Sequence, residues 1–228
     1  MKKSRSIIYV LTLFLIVAFC SCTQNFDAYS KVISELRTNE YVGMVGDYKA
    51  FAVTGRREKE YKIDGVSGEK TDFLILTIEG VFPTAPLCKI NVGETEYEGA
   101  MKKHPFADSY SFEIAKTTEE SSVNAVITID GVEIETTLTS VLKENSKTHE
   151  YAFSLAKQKL ANSLKKHEKK GVFDGEVYIR IIPNPTKEDD RYFWYVAFYK
   201  SASECYSVLI DCENGEILAI KDGEENTK

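Results

Sequence analysis

The sequence predicts a mainly β protein with α+β character, in which an N-terminal helix precedes an antiparallel β-sandwich and then a helix packed on an antiparallel meander. Apolar residues alternate with polar ones through most of residues 43–142, and a helical stripe followed by strands fills residues 146–222. With 43% hydrophobic and 28% charged residues among 228, the chain has the composition of a folded protein with a sizeable core.

The first 21 residues have the features of a secretory signal peptide. Three basic residues lie within the first five, and an apolar run of 13 residues follows at 7–19. A bilayer-spanning helix needs about 20 apolar residues, so this run is too short to remain as a transmembrane anchor. We therefore expect residues 1–21 to be absent from the mature protein.

A short motif at the end of this segment indicates a lipid anchor. The sequence Phe19-Cys20-Ser21-Cys22 resembles the lipobox of bacterial lipoproteins, in which a small residue precedes a cysteine that receives a diacylglycerol. The resemblance implies that Cys22 becomes a lipid-anchored N-terminus and that the protein is held at the extracytoplasmic face of the cell membrane. A secreted protein cut near Ser21 is the alternative.

The charge balance argues against a nucleic-acid partner. The full chain carries 29 basic and 35 acidic residues, and loss of residues 1–21 removes three basic and no acidic ones, which lowers the net charge from -6 to -9. Binding to phosphates requires a basic surface, which an acidic mature chain does not provide.

Three cysteines remain in the mature chain besides Cys22. Cys205 and Cys212 lie on one predicted strand, roughly 23 Å apart at the usual rise per residue, which is too far for a disulfide. We expect buried thiols at all three positions. A bridge from Cys88 to Cys205 or Cys212 is the alternative that the sequence leaves open.

Residues 22–42 are predicted to hold the anchor and an amphipathic helix. Phe26, Tyr29, Ile33 and Leu36 recur at steps of three and four, with charged residues between them, and Gly43 follows. We expect this helix to pack on the next domain. A helix lying on the membrane is the alternative.

Residues 43–142 have the pattern of an antiparallel sandwich. Strands are predicted at 73–78 and 110–114, and Asp130-Gly131 joins two further strands in a hairpin. The pattern resembles bacterial immunoglobulin-like domains, although the paired cysteines and core tryptophan of antibody domains are absent. The resemblance implies a spacer or an adhesive module.

Residues 146–222 predict an α+β unit, followed by an acidic tail at 223–228. Its helix places four apolar residues on one stripe, which are Phe153, Ala156, Leu160 and Leu164. Strands are expected at 176–182, 191–200, 206–211 and 216–220.

The aromatic strand at 192–198 and the hairpin at 208–218, which turns at Asn214-Gly215, are similar to PepSY-type domains. These are small helix-plus-sheet modules of exported and membrane-bound bacterial proteins. The resemblance implies that the unit binds protein or peptide, with a peptidase as one candidate partner.

No pattern of catalytic residues stands out, so we expect no enzyme, no cofactor and no metal site. His149-Glu150 does not begin a zinc-protease motif, because Phe153 occupies the position of its second histidine. His149 and His167 would lie about 27 Å apart along a helix, so they cannot share a metal ion. We interpret the histidines as surface residues.

The aromatic strand supplies the candidate binding site. Alternation places Tyr195 and Tyr199 on one of its faces, and Tyr178 and Arg180 on one face of the preceding strand. Tyrosine and arginine are enriched where proteins bind one another, so these four residues form a contact patch if both faces coincide. Internal packing between domains is the alternative interpretation.

These observations predict a membrane-anchored extracytoplasmic lipoprotein that binds protein or peptide and modulates a peptidase. The alternative function is a structural or adhesive envelope lipoprotein in which both domains act as spacers.

Overall fold

The computed structural model describes residues 26–59, 68–186 and 189–224, and confirms a mainly β fold with antiparallel sheets and a few helices. The predicted signal segment and Cys22 lie outside the described residues. The helices are α1 (His149–Lys159) and α2 (Ala161–Lys165). The strands are β1 (Ile33–Val45), β2 (Tyr48–Glu58), β3 (Lys70–Glu79), β4 (Leu87–Val92), β5 (Thr95–Ala100), β6 (Lys102–Lys103), β7 (Ser109–Ile114), β8 (Ser122–Ile129), β9 (Val132–Ser140), β10 (Glu168–Lys169), β11 (Val172–Phe173), β12 (Glu176–Pro183), β13 (Tyr192–Tyr199), β14 (Glu204–Asp211) and β15 (Ile217–Glu224).

The predicted helix around Ile33 and Leu36 is wrong. Of the described residues in this segment, only 26–29 are helical, and the chain then enters β1, a strand of 13 residues. Phe26, Tyr29, Ile33 and Leu36 still share one hydrophobic core, so their spacing correctly marked residues that become buried together. The spacing did not predict the backbone conformation, because β1 becomes a strand through hydrogen bonds to distant strands rather than through local propensity.

Strands β1 to β9 form a sandwich of two sheets. One sheet runs β1-β2-β3-β7-β6, and a second runs β9-β8-β4-β5, with β9 also pairing to β1. The inner faces bury mainly aliphatic side chains, among them Leu74, Leu76, Ile90 and Ile127. The predicted hairpin is confirmed, since Ile129 pairs with Val132 across a turn whose two residues both have positive φ.

In the C-terminal part, β12, β13, β14 and β15 form an antiparallel meander, and α1 packs over β13 and β14. The four residues of the predicted helical stripe are all buried in this core. Thr148 caps α1 by accepting a hydrogen bond from the Tyr151 amide. The last strand, β15, extends to Glu224, so the predicted acidic tail begins inside a strand.

Strand β1 connects the two regions. Its first residues pair in parallel with β12, where Ile33 is opposite Val177, while Tyr41 farther along pairs with Ser140 of β9. Ile33 belongs to the C-terminal core and Tyr41 to the sandwich core. One strand therefore contributes to both hydrophobic cores.

Candidate functional site

The meander β12–β15 has two faces with different environments. The face under α1 is fully buried and carries Val177, Ile179, Ile181, Trp194, Val196 and Phe198. The opposite face, called the outer face here, carries Tyr178, Arg180, Tyr195 and Tyr199. Arg180 is directly opposite Tyr195 in the sheet, and Tyr178 is opposite Ala197, which separates Tyr195 from Tyr199. The structure therefore places all four predicted contact residues on one face.

Tyr178 forms the base of this group rather than its surface. The residue is 1% exposed, and its ring meets that of Tyr199 edge to face with 5.3 Å between centroids. Its hydroxyl donates a hydrogen bond of 2.5 Å to Glu176 Oε2. Burial, reinforced by this hydrogen bond to a carboxylate, raises the pKa of Tyr178 well above its usual value. Tyr178 is thus a neutral, buried support for the residues around it.

Arg180 is held by a buried carboxylate on a neighbouring strand. Its Nε donates to Glu35 Oε2 at 2.6 Å, and Glu35 on β1 is only 2% exposed. Arg37 donates to the other oxygen of Glu35, also at 2.6 Å. The guanidinium of Arg180 also lies over the Tyr178 ring, 4.8 Å from its centroid. These contacts fix the guanidinium in place while leaving the side chain 22% exposed.

Tyr195 and Tyr199 are the half-buried aromatic members of the outer face. Their hydroxyl oxygens are 3.4 Å apart, and both rings pack against a small cluster that contains Ala197 and Cys205. Burial raises the pKa of Tyr199 above its usual value. The pair offers apolar ring edges together with hydroxyls that can donate and accept hydrogen bonds.

A shallow concavity of about 270 Å³ lies beside Tyr195. Its other lining residues are Ile182, Pro185, Ser207, Leu209, Ala219, Ile220 and Lys221. The sequence analysis did not predict this concavity, because its lining comes from strands whose mutual register is a tertiary property. A small residue, Ala219, lies next to larger apolar ones, an alternation that could have suggested a recess on the edge strand.

The chain matches no known protein-family model, no curated protein and no solved structure. The similarity to PepSY-type and immunoglobulin-like domains therefore stays a prediction.

Two of the three histidines, His149 and His167, are half-buried rather than fully exposed. His149 lies beside the rings of Phe26 and Trp194, and burial lowers its pKa. His167 Nε2 is 3.0 Å from the Tyr206 hydroxyl and 2.9 Å from Glu204 Oε1. His104 is exposed. Within residues 26–59, 68–186 and 189–224, no group of three potential ligands could hold a metal ion.

The cysteine prediction is confirmed for the described chain, where Cys88, Cys205 and Cys212 are buried thiols. Burial raises the pKa of Cys88 to about 12, so its thiol is inert at neutral pH.

No helix within the described ranges is long and apolar enough to cross a membrane.

Proposed function

We propose that this protein is an extracytoplasmic lipoprotein, anchored through Cys22, that binds a protein or peptide on the outer face of its C-terminal meander. The observation that carries the proposal is the combination of Tyr195, Tyr199 and Arg180 on one side of the sheet with an apolar concavity next to them. Such sites exclude water from a few well-packed aromatic and arginine anchors, which supply most of the binding energy.

Three features support a binding role for the outer face. Arg180 is positioned by a buried partner, so little side-chain entropy is lost when it contacts a ligand. The two tyrosines retain partial exposure although both of their rings are packed from below. The adjoining concavity is lined mostly by apolar atoms, which favours an apolar side chain of the ligand.

Membrane attachment is tested at the N-terminus. We expect mass spectrometry of the purified protein to find a diacylated Cys22 as the first residue, and Cys22→Ala to move the protein out of the membrane fraction. A lipid-free mature chain or an intact Met1 would overturn the lipoprotein assignment.

Binding is tested by photo-crosslinking in the membrane-anchored full chain. A photoreactive amino acid at position 199 should yield a defined crosslinked polypeptide, whereas the same group at the exposed position of Lys116 in the sandwich should not. A crosslinked peptidase would assign the modulating role. Equal products from both positions, or none from position 199, would contradict a binding site on the outer face.

One observation favours the adhesive alternative. Six of the ten exposed large apolar residues within the described ranges lie at the end of the sandwich where β1 turns into β2, namely Met44, Tyr48, Val81, Leu87, Phe106 and Val132. Loops at this end are joined by hydrogen bonds, such as that from the Gly80 amide to the Asp108 carbonyl. The side chain of Phe106 is 94% exposed.

The adhesive function predicts that Phe106→Ser lowers retention of the full chain on purified envelope polymer, while Tyr199→Ser does not. The reverse pattern would favour the outer face.

A further inference from the structure

Strand β15 ends the long sheet, and its outer edge pairs with no other strand of the described chain. It runs for eight residues, with its inner edge on β14. The edge of a sheet presents unpaired amide and carbonyl groups that can accept another strand. This edge adjoins the proposed site, because Ala219 and Ile220 line the concavity.

The middle of β15 is apolar and accessible. Leu218 is 48% exposed and Ile220 is 51% exposed, and Ala219 between them is also exposed. Helix α1 packs over β13 and β14, the two strands that precede β15 in the sheet. An added strand would cover these side chains and remove apolar surface from water. The small side chain of Ala219 leaves room for a larger one of the ligand to reach the concavity.

Charges at either end of this apolar segment select the ligand. Exposed carboxylates of Glu216 and Asp222 lie at either end of residues 217–221, and Lys221 lies on the opposite face of the strand from Asp222, beside the concavity. The two carboxylates are six positions apart, at most about 20 Å along a strand that bulges at Leu218. A second copy of the chain fits poorly, since the antiparallel register that opposes Leu218 to Ile220 also opposes Glu216 to Asp222. Like charges directly opposite each other destabilise a strand pair.

We propose that β15 receives an extended peptide of about seven residues, with an apolar centre and basic ends, as an added strand of the sheet. Main-chain hydrogen bonds to β15 hold the peptide. Its basic ends pair with Glu216 and Asp222, and one apolar side chain enters the concavity over Ala219. This inference rests on the proposed binding function and specifies the ligand class and binding mode of that site.

Fluorescence anisotropy with the detergent-solubilised mature protein tests the proposal. The labelled probes are Lys-Val-Thr-Val-Thr-Val-Lys, the same peptide with Glu at both ends, and the basic peptide with Pro at its centre. We expect the basic peptide to bind about tenfold more tightly than the acidic one, and the Pro peptide to lose binding because it cannot complete the strand pairing. The protein variant Glu216→Gln/Asp222→Asn should weaken binding of the basic peptide several-fold, whereas the matched control Glu133→Gln in the sandwich should not.

The outcomes separate this inference from the proposed function. Tight binding of the Pro peptide, or binding unaffected by Glu216→Gln/Asp222→Asn, overturns strand addition. If Tyr199→Ser abolishes peptide binding in either of these cases, the outer face remains the binding site. A protein dimer in sedimentation velocity that is lost in Ile220→Lys also overturns the inference, in favour of a second copy. Failure of all three peptides together with no crosslink from position 199 rejects both proposals.

Discussion

The sandwich and the C-terminal meander use their sheet faces differently. In the sandwich, two sheets bury their inner faces against each other over a largely aliphatic core. In the meander, α1 covers one face over a core rich in aromatic residues, including Phe153, Trp194 and Phe198, and the other face keeps half-buried tyrosines. A sheet that a helix covers on one side keeps a second face, whose partly exposed side chains can be used for recognition. For this reason we place the binding site on the meander.

The first test of this comparison asks whether the two regions are independent. Trp194 is fully buried in the C-terminal core, and its indole N–H donates to the Lys147 carbonyl at 2.8 Å. Trp194→Ala should cost about 4 kcal/mol of unfolding free energy, from the lost burial and the cavity. Because β1 belongs to both cores, we expect one shifted transition in urea followed by circular dichroism.

Leu76→Ala in the sandwich core is the matched variant, with an expected cost of about 3 kcal/mol and again a single transition. Two separate transitions in either variant would mean that the regions unfold independently and that β1 does not couple them.

The second test concerns a titratable group on the shared strand. Glu40 of β1 is 8% exposed, and burial raises its pKa from 4.5 to about 7. Because the folded-state pKa lies above the unfolded one, the stabilising contribution is complete below pH 4.5 and is lost as the pH rises through about 7. The loss should be about 3 kcal/mol.

Chemical denaturation at a series of pH values measures this effect. Glu40→Gln should remove the loss and be the more stable protein at pH 8. Parallel pH profiles for the variant and the wild type would contradict a protonated Glu40 in the folded protein.

The third test separates the support of the outer face from its binding surface. Arg180→Met removes charged hydrogen bonds to Glu35 but leaves the contact of Arg37 with the same carboxylate, so we expect a cost of about 2 kcal/mol. Tyr199→Ser should reduce the free energy of peptide binding more than it reduces the free energy of unfolding. If both variants lower stability equally and binding not at all, the outer face is structural.

The smallest expected effect lies in the sandwich, far from the outer face. Gly131 has φ +82°, and a Cβ there would meet no atom within 4 Å. Gly131→Ala should therefore cost about 1 kcal/mol through backbone strain alone. Thermal denaturation measures the shift, and peptide binding should be unchanged. A loss of binding would show that the hairpin communicates with the meander.

The sequence predicts local elements correctly, but it does not predict contacts between distant parts of the chain. Asp130-Gly131 specifies its hairpin within a few residues, and the stripe at Phe153 and Leu164 specifies a helical segment that buries one side. The helix prediction at Ile33 failed because the same apolar spacing suits a turn followed by a strand. The candidate site was found in part, since alternation placed the tyrosines, but the carboxylate that holds Arg180 lies 145 residues away in the chain.

The parallel pairing of β1 with β12 has a consequence for the order of assembly. A chain exported as we propose emerges with its N-terminus first, so β1 and its hairpin partner β2 emerge well before β12. Until then, the edge of β1 at Ile33 and Leu36 has no strand beside it, and the buried carboxylate of Glu35 lacks the guanidinium of Arg180. The emerging chain therefore carries an incomplete strand edge, of a kind that can pair with other chains, until β12 follows, and the last third of the protein acts as the closing element for the first.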